Sequence, residues 1–165
     1  MPGVGAIAAE AGVTRATIYN HFTSRAVLVD AVLDDTVRRH GMDHLVERTR
    51  HMPWREALLA AVTTCAQFWD AERALLRRLL VTQAQEPELT ERLQQREAWR
   101  TKQFATILTP LQPSPAFGEL VGGTVALTSF ATYDQLLTHT GSSATAAHAM
   151  RTATTAWIDA AARTQ

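Results

Sequence analysis

The sequence predicts an all-α protein in which an N-terminal helix-turn-helix precedes a larger helical domain. Two observations carry that prediction. No segment alternates apolar and polar residues between turn residues as a half-buried strand does, whereas apolar residues recur at three- and four-residue spacing throughout. Breaks at Gly12, Gly41, Met52-Pro53, Glu86-Pro87, Pro110 to Pro115 and Gly141-Ser142 leave stretches of helical length between them, about eight in all.

The first stretch, Val4 to Ala11, is short, and Gly12-Val13-Thr14 separates it from a second, Arg15 to Phe22. Gly12 suits the left-handed turn that ends a helix, and Thr14 suits the cap that starts the next. Ile7, Val13, Ile18 and Phe22 are then expected to point inward, which leaves Arg15, Thr17, Tyr19, Asn20 and His21 for the outer surface. Ser24 is placed to cap a third helix, whose Val27, Leu28, Ala31 and Val32 would pack back against the pair.

These residues resemble the tetracycline repressor (TetR) family of transcriptional regulators. Ile7-Ala8-Ala9-Glu10-Ala11-Gly12-Val13-Thr14, then Thr17-Ile18-Tyr19-Asn20-His21-Phe22, then Ser24-Arg25 and Leu28, follow its N-terminal signature over roughly residues 4–33. The resemblance implies that Arg15, Thr17, Asn20 and Tyr19 enter the major groove, with Thr14, Tyr19, His21 and Arg25 nearer the phosphates. The chemistry agrees: arginine pairs bidentately with guanine and asparagine with adenine, while Thr14 and Arg25, at helix starts, suit phosphate oxygens.

The family places a further helix before this pair, and here Met1-Pro2-Gly3 leads almost directly into the second, with Gly3 where the family has a Ser or Thr cap. The expectation is a DNA-binding domain over residues 1–40 that lacks its first helix, either because the start is truncated or because the helix has been lost. Ile7 and Phe22 would then lose a cover. Within this segment Arg15, Arg25, Arg38 and Arg39 are matched by Glu10, Asp30, Asp34 and Asp35, and a neutral segment binds phosphate weakly.

Residues 41–165 form the expected effector-binding and dimerisation domain. Trp54, Leu58, Ala61, Val62 and Cys65 share one helical face; Leu75, Leu76, Leu79 and Leu80 mark the next helix; and Pro87 begins a longer one carrying Leu89, Leu93, Phe104, Ile107 and Leu108. Arg96 and Arg100 interrupt that last stripe beside Trp99, so the helix is expected to border a cavity, with both arginines more readily read as solvated than ligand-facing. The resemblance puts an effector pocket among these helices. Cys65, Phe68, Trp69, Trp99, Gln103, Phe104 and Tyr133 are its candidate lining, and apolar walls with few polar groups favour an aromatic or lipophilic small molecule.

Between Gln112 and Gln165 only Glu119, Asp134, Arg151, Asp159 and Arg163 are charged, too few for a fully solvated surface. Two helices, at about 117–138 and 143–162, are rich in Ala, Gly, Thr and Ser, which allow close helix approach. A homodimeric four-helix interface is expected there through Leu120, Val121, Leu127, Ala147, Thr154, Trp157, Ile158 and Ala161. Two-fold symmetry would put two reading helices on a palindromic double-stranded operator.

Composition bounds the alternatives. The 165 residues hold 46% hydrophobic side chains, enough for a modest core, with 16 basic and 16 acidic residues, so any DNA contact must be local. Cys65 is the single cysteine, which excludes an internal disulfide and a multi-cysteine zinc site. No run of about 18 apolar residues and no signal peptide is visible, so neither membrane nor export is expected and the location is cytoplasmic. His40, His44, Glu47 and His51 follow helical spacing, but Gly41 sits inside the run and no metal is expected. No phosphate loop, nucleophile elbow or carboxylate pair is present, so no catalytic residue, cofactor or enzyme activity is expected. The reading is an effector-released transcriptional repressor; the alternative is a helical ligand-binding or interaction module that has lost DNA binding.

Overall fold

A computed structural model of the chain describes residues 3–163, with the side chains of residues 162 and 163 left aside. Its described residues form helices and no strand: α1 (Val4–Glu10), α2 (Arg15–His21), α3 (Arg25–Arg39), α4 (Leu45–Thr49), α5 (Trp54–Ala71), α6 (Arg73–Gln83), α7 (Pro87–Ile107), a short 3-10 turn (Thr109–Leu111), α8 (Phe117–Leu127), α9 (Phe130–Thr140) and α10 (Ser143–Arg163).

Three apolar clusters organise them. The smallest joins Val4 and Ala8 of α1, Ile18 of α2 and Leu28 of α3, with Ile7 and Phe22 packed on it. A second joins Ala26, Val29 and Leu33 of α3 to Leu79 of α6 and Leu89 of α7. The main core runs through α5, α7, α8, α9 and α10 and includes Ala61, Val62, Cys65, Phe104, Leu120, Tyr133, Met150 and Ile158. Helix α3 thus belongs to two clusters, and it ties the small N-terminal unit to the large one. Two sequence expectations fail here. Val13, in the turn between α1 and α2, is 41% exposed, and Val32 is 44% exposed because Ala26, Val29 and Leu33 set the buried stripe of α3 one step round the helix.

Two more helices form than the eight expected. A single turn, α4, fills the stretch after Gly41, whose φ of 63° ends the preceding helix. The stretch read as one helix at 117–138 divides at Thr128. The Ser129 hydroxyl accepts from the Thr132 backbone N–H at 3.2 Å, capping α9. Arg100 supplies donors for the carbonyls released at the break: Nη1 donates to the Thr128 carbonyl at 3.3 Å and hydroxyl at 2.9 Å, and Nη2 to the Val125 carbonyl at 2.8 Å. Arg100 is therefore a buried structural residue at 5% exposure, not the solvated charge expected. Trp69 donates from Nε1 to the same Thr128 carbonyl at 2.9 Å.

Candidate nucleic-acid interface and ligand cavity

Helices α1 and α2 meet through the turn that the sequence encodes. Gly12 adopts φ 66°, the Val13 N–H donates to the Ala8 carbonyl at 2.9 Å, and the Thr14 hydroxyl accepts from the Thr17 N–H at 3.1 Å. Thr14 and Thr17 also share a hydroxyl–hydroxyl bond of 2.9 Å, so Thr17 is half-buried against its cap. With Ile18 held in the small core, Arg15, Tyr19, Asn20 and His21 are exposed on one compact surface, Tyr19 at 45%. The Arg15 side chain runs past Gly5, where an added methyl would lie 3.5 Å from its Cδ.

Arg25 stands elsewhere. Its guanidinium pairs with Glu86 at the start of α7, which sets an ion pair against the phosphate role expected of it. This pair is one of a row that joins α3 to the N-terminal half of α7. The Ser24 hydroxyl donates to Glu88 at 3.0 Å, Arg92 Nη1 donates to Asp30 at 3.0 Å, and Arg96 donates from Nε to Asp30 at 2.8 Å and from Nη2 to Asp34 at 2.7 Å. Asp30 and Asp34, which on sequence alone neutralise the N-terminal segment, are thus already met by arginines of α7.

Between this row and the core lies a cavity of about 590 Å³. Leu33, Asp34 and Val37 of α3 form one side, and Phe68, Trp69, Leu76, Leu93, Trp99 and Phe130 line much of the remainder. Phe68 meets Trp69 edge to face at a centroid separation of 4.9 Å, and Trp69 meets Phe130 at 5.8 Å. Of the seven lining candidates, Phe68, Trp69 and Trp99 are on the wall. Cys65 of α5, Phe104 of α7 and Tyr133 of α9 sit instead in the main core, at 0%, 1% and 1% exposure, because each faces the packing between these helices. Gln103 is half-buried outside the wall. Burial pushes the Cys65 thiol up to about 11. Burial, and then a hydrogen bond of 2.8 Å donated to Asp70, raises Tyr133. The acidic and basic part of the wall was beyond sequence reasoning, except that Arg96 and Arg100 interrupting the α7 stripe marked its position.

The family of bacterial regulatory proteins named tetR matches residues 3–32, which span α1, α2 and the first half of α3. Over these residues the chain is similar to the N-terminal segment of that family. No curated protein and no solved structure matches it significantly.

The outer helices divide differently from the expectation. Leu120, Val121, Thr154 and Ile158 are buried within the chain itself, so they cannot form a surface. Leu127, Ala147, Trp157 and Ala161 are half-buried, and Trp157 donates to the Leu120 carbonyl at 3.3 Å while covering Gly123. The outward residues include Gly118, Glu119, Gly122 and Ala126 on α8 and His148, Arg151, Thr152 and Ala156 on α10. The burial pattern is one step out of register with the expected contacts, since α5 claims one face of α10.

The histidines of the expected polar stripe are separated. His40 bonds Glu72 at 3.0 Å and meets the Phe68 ring edge-on at 5.4 Å, His44 is exposed beside Asp43, and His51 accepts from Arg50. Among the described residues no group of three or more His, Cys, Asp or Glu side chains is gathered to hold a metal, and no helix is long and apolar enough to cross a membrane.

Proposed function

We propose that the chain is a homodimeric, effector-responsive transcriptional repressor. Residues 1–40 would read a palindromic operator and residues 41–165 would sense a small molecule and dimerise. The observation that carries this reading is the cavity, whose wall is built from α3 of the reading unit on one side and from the sensing helices on the other. A ligand held there touches both parts at once, and it releases DNA if it binds the unliganded-DNA arrangement more tightly than the DNA-bound one. Arg15 and Asn20 are the base readers, Tyr19, Thr17 and His21 flank them, and Thr14 sets the start of the helix. The outward faces of α8 and α10, poor in charge and rich in small residues, suit a four-helix contact with a second copy.

Sedimentation combined with footprinting on the chain's own upstream region tests the reading. The expected result is a dimer protecting two half-sites about one helical turn apart. A folded protein that sediments as a monomer and protects nothing would favour a helical ligand-binding module.

A further inference from the structure

The cavity carries a charge that its own wall does not meet. Three of its carboxylates are matched by guanidiniums: Asp30 by Arg92 and Arg96, Asp34 by Arg96, and Glu97 by Arg100. Asp43 is the exception. Its Oδ2 lies 3.4 Å from Nε2 of His44, whose side chain is 71% exposed, and its Oδ1 is buried without a hydrogen-bond partner among the described residues. The wall therefore has one carboxylate more than it has guanidiniums, and the remainder is largely aromatic and aliphatic.

Each class of ligand meets this arrangement differently. A neutral apolar molecule would use the rings of Phe68, Trp69, Trp99 and Phe130 but would desolvate Asp43 further without pairing it. An anion would face its like charge. Arg92 Nε is also buried without an acceptor, yet the two terminal nitrogens of Arg92 already hold Asp30 and Glu88, so its charge is met and only one donor remains for a ligand oxygen. A protonated amine with an aromatic body gains on both counts: it donates a charge-assisted hydrogen bond to the carboxylate and is attracted by the ring faces. We infer that this cavity takes a protonated aromatic amine with Asp43 as its counter-charge. The inference rests on the effector-responsive reading above, and it replaces a merely lipophilic effector with a cationic one. A volume of about 590 Å³ holds a two- or three-ring compound.

Calorimetric titration of the whole chain, without DNA, with naphthylethylamine, naphthylethanol and naphthylacetate tests it. The amine is expected to bind about tenfold tighter than the alcohol and the acetate most weakly, with Asp43→Asn removing the preference for the amine. Wild-type protein that binds the alcohol or the acetate as tightly as the amine overturns the proposal, whatever the variant does. A preference that survives Asp43→Asn overturns the assignment of Asp43. Selective amine binding with no change in operator affinity would instead sink the regulator reading and leave the cation site standing.

Discussion

Arg96 on α7 holds Asp30 on α3 by two bonds, from Nε to the carboxylate and from Nη2 to the backbone carbonyl, each 2.8 Å long across 66 residues of sequence. The same Nη2 reaches Asp34 one turn further along α3. Since α3 also contributes Leu28 to the core under the reading helix, the position of that helix follows the α3–α7 contact. Both Asp30 and Arg96 border the cavity, so a bound molecule lies against the joint itself.

If this joint is an energetic coupling and not a surface decoration, Arg96→Ala and Asp30→Asn will be non-additive. Both side chains are about one-quarter exposed, which lowers the value of the pair below that of a buried one. A double-mutant cycle by urea unfolding should give a coupling of about 1 kcal/mol. Additive effects would mean that α3 and α7 are joined by apolar packing alone.

Arg100 makes a larger demand. It is buried, and its guanidinium serves two carbonyls and a hydroxyl at the α8–α9 break as well as Glu97. Arg100→Met removes the charged donor from those acceptors, leaving the Thr128 carbonyl to Trp69 alone, and is expected to lower stability by about 3 kcal/mol. Arg100→Lys should recover little of it, because an ammonium cannot span the forked set of acceptors. Thermal unfolding of the two variants checks this, and a lysine variant as stable as the wild type would contradict it.

Gly123 lies under the indole of Trp157, where an added Cβ would overlap the ring. Gly123→Ala, elsewhere a helix-favouring change, should here cost about 1–3 kcal/mol by forcing α8 and α10 apart. Combining it with Trp157→Leu should cost less than the two changes summed. A stabilised Gly123→Ala protein would show that the helices separate freely.

Cys65 offers a pH-dependent check. Burial, countered only in part by the charge of Arg100, raises its thiol to about 11, so the reactive thiolate is suppressed in the folded state at all ordinary pH. Because the folded value lies above the unfolded one, the contribution to stability is complete below the unfolded pKa and is lost progressively as pH rises from there to about 11. Labelling with a disulfide reagent at pH 8 should be slow in native protein and fast in urea. Rapid native labelling would place the thiol at the surface.

Where the sequence was legible, the signals were local. Gly12, Thr14 and Ser24 are each adjacent to the turn or helix start they determine, and the structure has a left-handed glycine and two side-chain caps at those positions. The division of α8 from α9 was not legible, since no Gly or Pro stands at Thr128 and its partner, Arg100, lies 28 residues away. Arg100 and Arg96 were visible only as misfits in an apolar stripe. Whether a misfit is solvated, paired or ligand-facing depends on which helix arrives opposite, and spacing along one helix cannot supply that. The outer helices failed for the same reason: Leu120, Thr154 and Ile158 are as apolar or small as an interface requires, but neighbouring helices of the same chain bury them.

The most direct test of the account is a low-salt anisotropy titration of the chain against its own upstream DNA, with Arg15→Ala and Tyr19→Ala beside it and circular dichroism to confirm that each is folded. The account predicts sequence-specific binding by the wild type and a loss of about tenfold or more in each variant, since both side chains are exposed on the reading surface and neither supports the core. Variants that bind as tightly as the wild type, or a wild type that does not distinguish this DNA from unrelated sequence, would contradict it.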